Sequence, residues 1–379
     1  MHGPFPGAAK GPYIATSEPG FHLIGSRVLF VDRRLSPVQS RRAVGTWLLI
    51  LAGMVFVTVI LGGATRLTGS GLSMVHWQVL HVLPPLSDAE WGQAFADYQQ
   101  SPQGKLVNAG MDLAGFKGIF WLEYVHRAWD RIIGFAFLIP FLWFLARGQL
   151  GRRDAPRLFV LFVLGGLQGV LGWAMVASGL VDRPEVSHYL LAAHLLAALA
   201  IYAGLLWSAL LYLDEGHGHG AIPLGAALLR RRVYVPLILV CVTMAAGALV
   251  AGLKAGMIYN TFPLMGGQVL PADAWALTPL WRNVLDNPAM VQFDHRCLAI
   301  LTWAASVSLW WSSWGLKLPV RIRQALAMVP VAATIQAALG IATLLDVVPL
   351  QLAVTHQAGA FLLFTALVWA LFTLRGPAR

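Results

Sequence analysis

The chain has 379 residues, of which 58% are hydrophobic and only 12% charged, with a net charge of +10. Soluble domains carry roughly 25% charged residues, so this composition, with a mean hydropathy of +0.66, excludes an ordinary soluble protein and describes a polytopic membrane protein. The basic excess is spread by loop and not gathered into one patch, which argues against a nucleic-acid surface.

Residues 1–43 carry Gly and Pro without the short basic region, apolar core and small-residue cleavage site of a cleaved signal. They read as a cytoplasmic tail, with the first span as an uncleaved anchor. Runs of about twenty apolar residues predict eight spans near 44–65, 120–145, 157–177, 189–212, 233–253, 291–313, 325–345 and 351–373. Arg33, Arg34, Arg41 and Arg42 precede the first span; Arg147, Arg152, Arg153 and Arg157 join the second to the third; Arg230 to Arg232 precede the fifth; Lys317, Arg321 and Arg323 precede the seventh; Arg375 and Arg379 follow the last. By the positive-inside rule both termini are cytoplasmic and the odd-numbered loops face outward. In the first outer loop, SDAE at 87–90 predicts a capping box that opens a short helix toward Gln100. Trp77, Trp91, Trp121, Trp275 and Trp281 fall near the outer interface, where they read as an aromatic belt. Cys241 and Cys297 lie inside spans and read as inert buried thiols.

The chain repeats itself. GGATRLTGSGL at 62–72 aligns without gaps on GALVAGLKAGM at 247–257, EYVHR at 123–127 on QFDHR at 292–296, Gln168 and Gly172 on Gln336 and Gly340, and His194 on His356. The expected fold is therefore all-α: eight transmembrane helices in two tandem four-helix bundles related by a pseudo-twofold axis along the membrane normal. The boundaries are 44–213 for the first half, 214–232 for a cytoplasmic linker and 233–379 for the second half.

His126, His194, His295 and His356 occupy matching repeat positions, about 6 to 10 Å below the outer helix ends at 1.5 Å of rise per residue. Two pairs of imidazoles on facing helices suit two haem groups, each gripped on both sides. Zinc suits them less, because no carboxylate or thiolate accompanies both pairs to complete a tetrahedral site. His188 has Leu350 as its counterpart and reads as interfacial, while His217 and His219 fall in a Gly-rich loop and read as solvated. One turn before His126 stands Glu123, whose counterpart is Gln292. A carboxylate at that depth is costly unless used or paired, which points to proton chemistry in the first half or to pairing with Arg127 or Arg131. Arg127 and Arg296 are candidate partners for haem propionates, and Arg66, aligned with Ala251, is a further charge without an equivalent.

TRLTGSGLSM at 65–74, LPPLSDAEW at 83–91, EYVHRAWDRIIG at 123–134, VSHYLLAAHL at 186–195, AGMIYNTFPLMGG at 255–267 and NPAMVQFDHR at 287–296 resemble haem A synthases of the bacterial and mitochondrial type, over about residues 44–373. The resemblance implies an oxidoreductase of the bacterial inner membrane that oxidises the C8 methyl of haem O to a formyl, giving haem A for cytochrome oxidase. It also implies a haem b held by His295 and His356, substrate haem held by His126 and His194, and Glu123 as the required carboxylate. Its partners would be a haem O synthase and an electron donor, in a monomer or a homo-oligomer. One class of the family carries paired cysteines in outer loops; this chain resembles the other. A di-haem electron-transfer protein would use the same four ligands, whereas a repeat-built transporter would need a midplane polar site and broken helices, which the sequence lacks.

Overall fold

Eleven α-helices and three short 3-10 turns account for the regular structure of the computed structural model, which describes residues 37–76, 83–180, 184–214 and 225–375. The tail to residue 36 with Arg33 and Arg34, and Trp77, His217, His219 and Arg379, lie outside the described residues. From Pro37 onward the chain folds as one compact unit. The helices are α1 (Pro37–Leu67), α2 (Asp88–Gln100), α3 (Pro102–Leu106), α4 (Leu113–Ala146), α5 (Asp154–Gly179), α6 (His188–Leu213), α7 (Ala226–Gly252), α8 (Trp281–Asp286), α9 (Pro288–Trp311), α10 (Val320–Leu345) and α11 (Leu350–Thr373). The protein is an all-α integral membrane protein.

Seven of these helices, α1, α4, α5, α6, α7, α10 and α11, are long and apolar enough to cross a membrane. The expected eighth span corresponds to α9, 24 residues long, whose average hydropathy is lowered by the closely spaced Gln292, Asp294, His295 and Arg296. It nevertheless packs between α7 and α10. Several helices begin earlier than their apolar cores, because capping groups extend them. The Asp112 carboxylate accepts from Gly115 N at the start of α4, and Asn287 accepts from Ala289 N ahead of α9, where Pro288 occupies the first turn.

The helices associate in two rings. In one, α1 packs on α4 and α6, and α5 on α4 and α6; in the other, α7 packs on α9 and α11, and α10 on α9 and α11. Contacts between the rings run through α1, α6, α7 and α11, whose side chains Leu48, Leu51, Leu205, Val233, Phe361 and Leu367 lie in the main buried core. Lipid is as apolar as this core, so close packing and interhelical hydrogen bonds carry the association. Tyr202 Oη and Thr365 Oγ1 meet at 2.7 Å across α6 and α11, and Gln357 Nε2 donates to the Val59 carbonyl of α1 at 2.8 Å.

One end of the bundle carries α2, α3, α8 and the 3-10 turns. The expected capping box is present: Ser87 Oγ accepts from Glu90 N, and Glu90 accepts from Ser87 N. Trp91 is not a belt residue. It is buried on α2, with its ring 5.0 Å from Phe120 of α4, and so fastens the loop helix to the bundle. Trp121, Trp275 and Trp281 are exposed.

Candidate haem sites

The aligned segments after α1 and α7 fold alike. Each helix ends at a residue in the left-handed region, Gly69 (φ 67°) or Lys254 (φ 54°), and then makes one 3-10 turn, Ser70–Leu72 or Ala255–Met257. These turns pack on α4 and α9 and are tied to them by the residue one turn before His126 and before His295. Glu123, 2% exposed, accepts at Oε2 from Ser73 N (2.8 Å), Ser73 Oγ (2.6 Å) and Met74 N (2.9 Å), and at Oε1 from Arg127. Gln292, equally buried, donates from Nε2 to the carbonyls of Ala255 (2.8 Å) and Ile258 (2.6 Å), and accepts from Arg296 at 3.0 Å. The two residues do the same structural work with opposite polarity.

The histidines meet the facing helices in a common way. A Cβ on Gly62 would lie 3.2 Å from His126 Cε1; on Gly172, 3.5 Å from His194 Cε1; on Gly247, 3.0 Å from His295 Cε1; on Gly340, 2.7 Å from His356 Cε1. Each imidazole therefore rests against bare backbone of α1, α5, α7 or α10. Four residues before each glycine stands a polar side chain: Thr58, Gln168, Thr243 and Gln336. His295 Nδ1 lies 3.1 Å from the Thr243 carbonyl, which only accepts, so the proton sits on Nδ1 and the Nε2 lone pair is left for a metal. Gln168 and Gln336 donate to the backbone carbonyls of His194 (2.8 Å) and His356 (2.9 Å). Among the described residues, both glutamine Oε1 atoms are buried without a partner, and His194 Nδ1 is as well. Gln336 Nε2 also lies 3.1 Å from His356 Nδ1, so its amide meets both the ring and the backbone of that histidine. The pairing of Gln and Gly was visible in the sequence; its direction toward the histidines was not.

His295 and His356 stand with ring centroids 6.5 Å apart and planes at 88°. With metal–imidazole bonds of about 2 Å, two rings flanking one metal sit at about this separation. The donor set, the ring separation and the glycine backing fit a haem gripped by two imidazoles.

Around His126 the first ring departs from this plan. Asp130 Oδ2 lies 3.7 Å from His126 Nε2, and Thr58 Oγ1 donates to Asp130 Oδ1 at 3.2 Å. In the other ring Thr243 Oγ1 meets Thr302 Oγ1 at 2.8 Å, and the position matching Asp130 is Ala299. Asp130 shares its helix face with buried Glu123, Phe137 and Phe141, opposite the exposed Val125, Ile132 and Ile139. Its 48% exposed carboxylate thus opens onto space inside the bundle. Sequence reasoning passed over Asp130, whose signal was its spacing of four from His126. The second ring has a carboxylate too, Asp294, with Oδ2 unpartnered among the described residues, but its place next to His295 turns it about 100° around the helix.

The arginines are placed differently from the expectation. Arg127 is occupied by Glu123 and the Met74 carbonyl, and Arg296 by Gln292 and the carbonyls of Tyr259 (2.7 Å) and Thr261 (2.8 Å). His188 Nε2 lies 3.1 Å from Asp286 Oδ1, where Tyr189 and Arg282 also converge, joining α6 to α8.

Residues 45–368 match the model of the COX15-CtaA family, described as cytochrome oxidase assembly protein. The chain belongs to this family. Among its similar members, the heme A synthase of Rhodospirillum centenum is 50% identical over 89% of this chain and 89% of its own length. That of Granulibacter bethesdensis is 47% identical over 98% of this chain and 96% of its own, and heme A synthase COX15 of Arabidopsis thaliana is 42% identical over 90% and 76%. Membership of the family thus extends over both rings and all four histidines.

Proposed function

We propose that the chain is a haem A synthase, an oxidoreductase that converts the C8 methyl of haem O to a formyl and so supplies haem A to cytochrome oxidase assembly. The observation that carries this reading is the pair of histidine sites with equivalent backing and unlike surroundings, in a chain close to named heme A synthases over most of its length. Residues 44–213 and 233–379 form the two halves, joined by a linker at 214–232; the similar turns after α1 and α7 and the matching packing of the two rings support that division. Both termini lie on the inner side of a bacterial inner membrane and the histidines near the outer face.

In this reading His295 and His356 hold a resident haem b, and His126 and His194 hold the substrate haem. A haem in the second half supplies one-electron redox chemistry. The more regular support belongs there: Thr243 orients one ring, Gln336 lies along the other, and no carboxylate shares their helix face. The first half adds Asp130 beside His126 and Glu123 one turn away. Glu123 is fully engaged, so it acts first by holding the Ser73–Met74 turn and Arg127 in place. The partners are a source of haem O and an electron donor.

The test is to extract the non-covalent haem after co-expression with a haem O source. Accumulation of the formyl-bearing pigment supports the synthase. Unchanged haem would make the chain a di-haem electron carrier.

A further inference from the structure

Among the described residues, Arg66 is the charge of the first histidine site that has no protein partner. It lies on α1 one turn beyond Gly62, the glycine against His126, and two turns beyond Thr58. Ile50 and Val57 are exposed on the opposite side of that helix, so Arg66 faces the bundle, where it is half-buried. Among the described residues it makes no hydrogen bond or ion pair, in contrast to Arg127 and Arg296. A guanidinium on an interior face near a membrane boundary is costly unless it meets an anion, and its planar donors match a carboxylate. The second half has Ala251 at this position, so the feature belongs to one site alone.

We infer that Arg66 is the anion-binding residue of the first site and pairs with a propionate carboxylate at the outer edge of the porphyrin held by His126 and His194. This rests on the proposal that those histidines grip a haem. It replaces Arg127 in that role, because Arg127 is committed to Glu123. It also makes the first site selective for a porphyrin with free acid groups and orients the ring, since only one edge carries the two propionates.

The experiment is a spectrophotometric titration of the full chain, carrying its resident haem, with iron protoporphyrin IX and with its dimethyl ester, in which the carboxylates are masked. The wild type should bind the free acid about tenfold or more tightly than the ester, the worth of one charge-assisted hydrogen bond. Arg66→Gln should weaken the free acid alone and bring the two within about twofold, and Arg66→Lys should keep part of the preference. Because Arg66 has no partner to lose among the described residues, the thermal midpoint of Arg66→Gln should not fall. Retention of the full preference in Arg66→Gln, or a lowered midpoint with the preference intact, overturns the assignment. A titration unchanged by His126→Ala would instead sink the underlying ligand reading.

Discussion

The two halves hold their histidines with the same device and fasten their outer turns with opposite chemistry. Glu123 receives two backbone N–H groups from its turn, whereas Gln292 gives its amide protons to two carbonyls. The exchange of Glu for Gln is therefore matched to the polarity of the turn above it, and a carboxylate present in one half is not by itself a mark of chemistry. Asp130 separates the halves more sharply, because it stands beside the imidazole and its counterpart Ala299 offers nothing there.

Exchanging the two tie residues should break the comparison most forcefully. Glu123→Ala strands Arg127, Ser73 and Met74 donors in a buried site and should cost about 3–5 kcal/mol of stability. It should also abolish haem A formation while the haem of the second half remains, read from extracted pigment and denaturation together. Normal haem A yield would remove Glu123 from the reacting half. Gln292→Glu sets a carboxylate against two carbonyls and should cost about 2–3 kcal/mol; if it cost nothing, the polarity match would be wrong.

The glycines provide a graded test. Alanine at Gly340 should displace His356 and empty most of the second site, since its Cβ would stand 2.7 Å from the ring. Gly247→Ala at 3.0 Å and Gly62→Ala at 3.2 Å should weaken haem binding progressively less, and Gly172→Ala at 3.5 Å should leave it within about twofold. Haem content per protein measures the series, and equal losses at all four would mean that the backing is not steric.

Asp130→Asn keeps an acceptor for Thr58 and removes the charge beside His126. The expected result is a shift of the first-site haem spectrum and midpoint potential to more positive values, with the second site unmoved. An unchanged first-site potential would reduce Asp130 to a tie between α1 and α4.

The smallest effect concerns the clasp between α6 and α8. Hydrogen bonds from Tyr189, then Arg282 and His188, hold the Asp286 carboxyl below its ordinary range against a burial effect that raises it. A lowered folded-state value means that the clasp is complete above about pH 4 and is lost only as pH falls through the depressed value. Thermal midpoints of wild type and Asp286→Asn should differ slightly at neutral pH and converge in acid. A difference that persisted in acid would show that the carboxylate charge is irrelevant.

The sequence by itself determined the all-helical membrane architecture, seven of the eight expected spans, the matching positions of the four histidines and the capping box at Ser87. These depend on local properties: a membrane demands about twenty apolar residues in a row, and a cap requires groups three residues apart. It also showed Gln168, Gly172, Gln336 and Gly340 as repeated pairs without saying what they touch. Only the tertiary structure decided that these residues back the imidazoles, that Arg127 is spent on Glu123 while Arg66 has no partner among the described residues, and that Asp130 stands against His126. The physical reason is that such contacts join helices distant in sequence, and the rotation and depth of each helix are set by close packing with its neighbours. Hydropathy records that a residue lies in the membrane but not which neighbour it meets there.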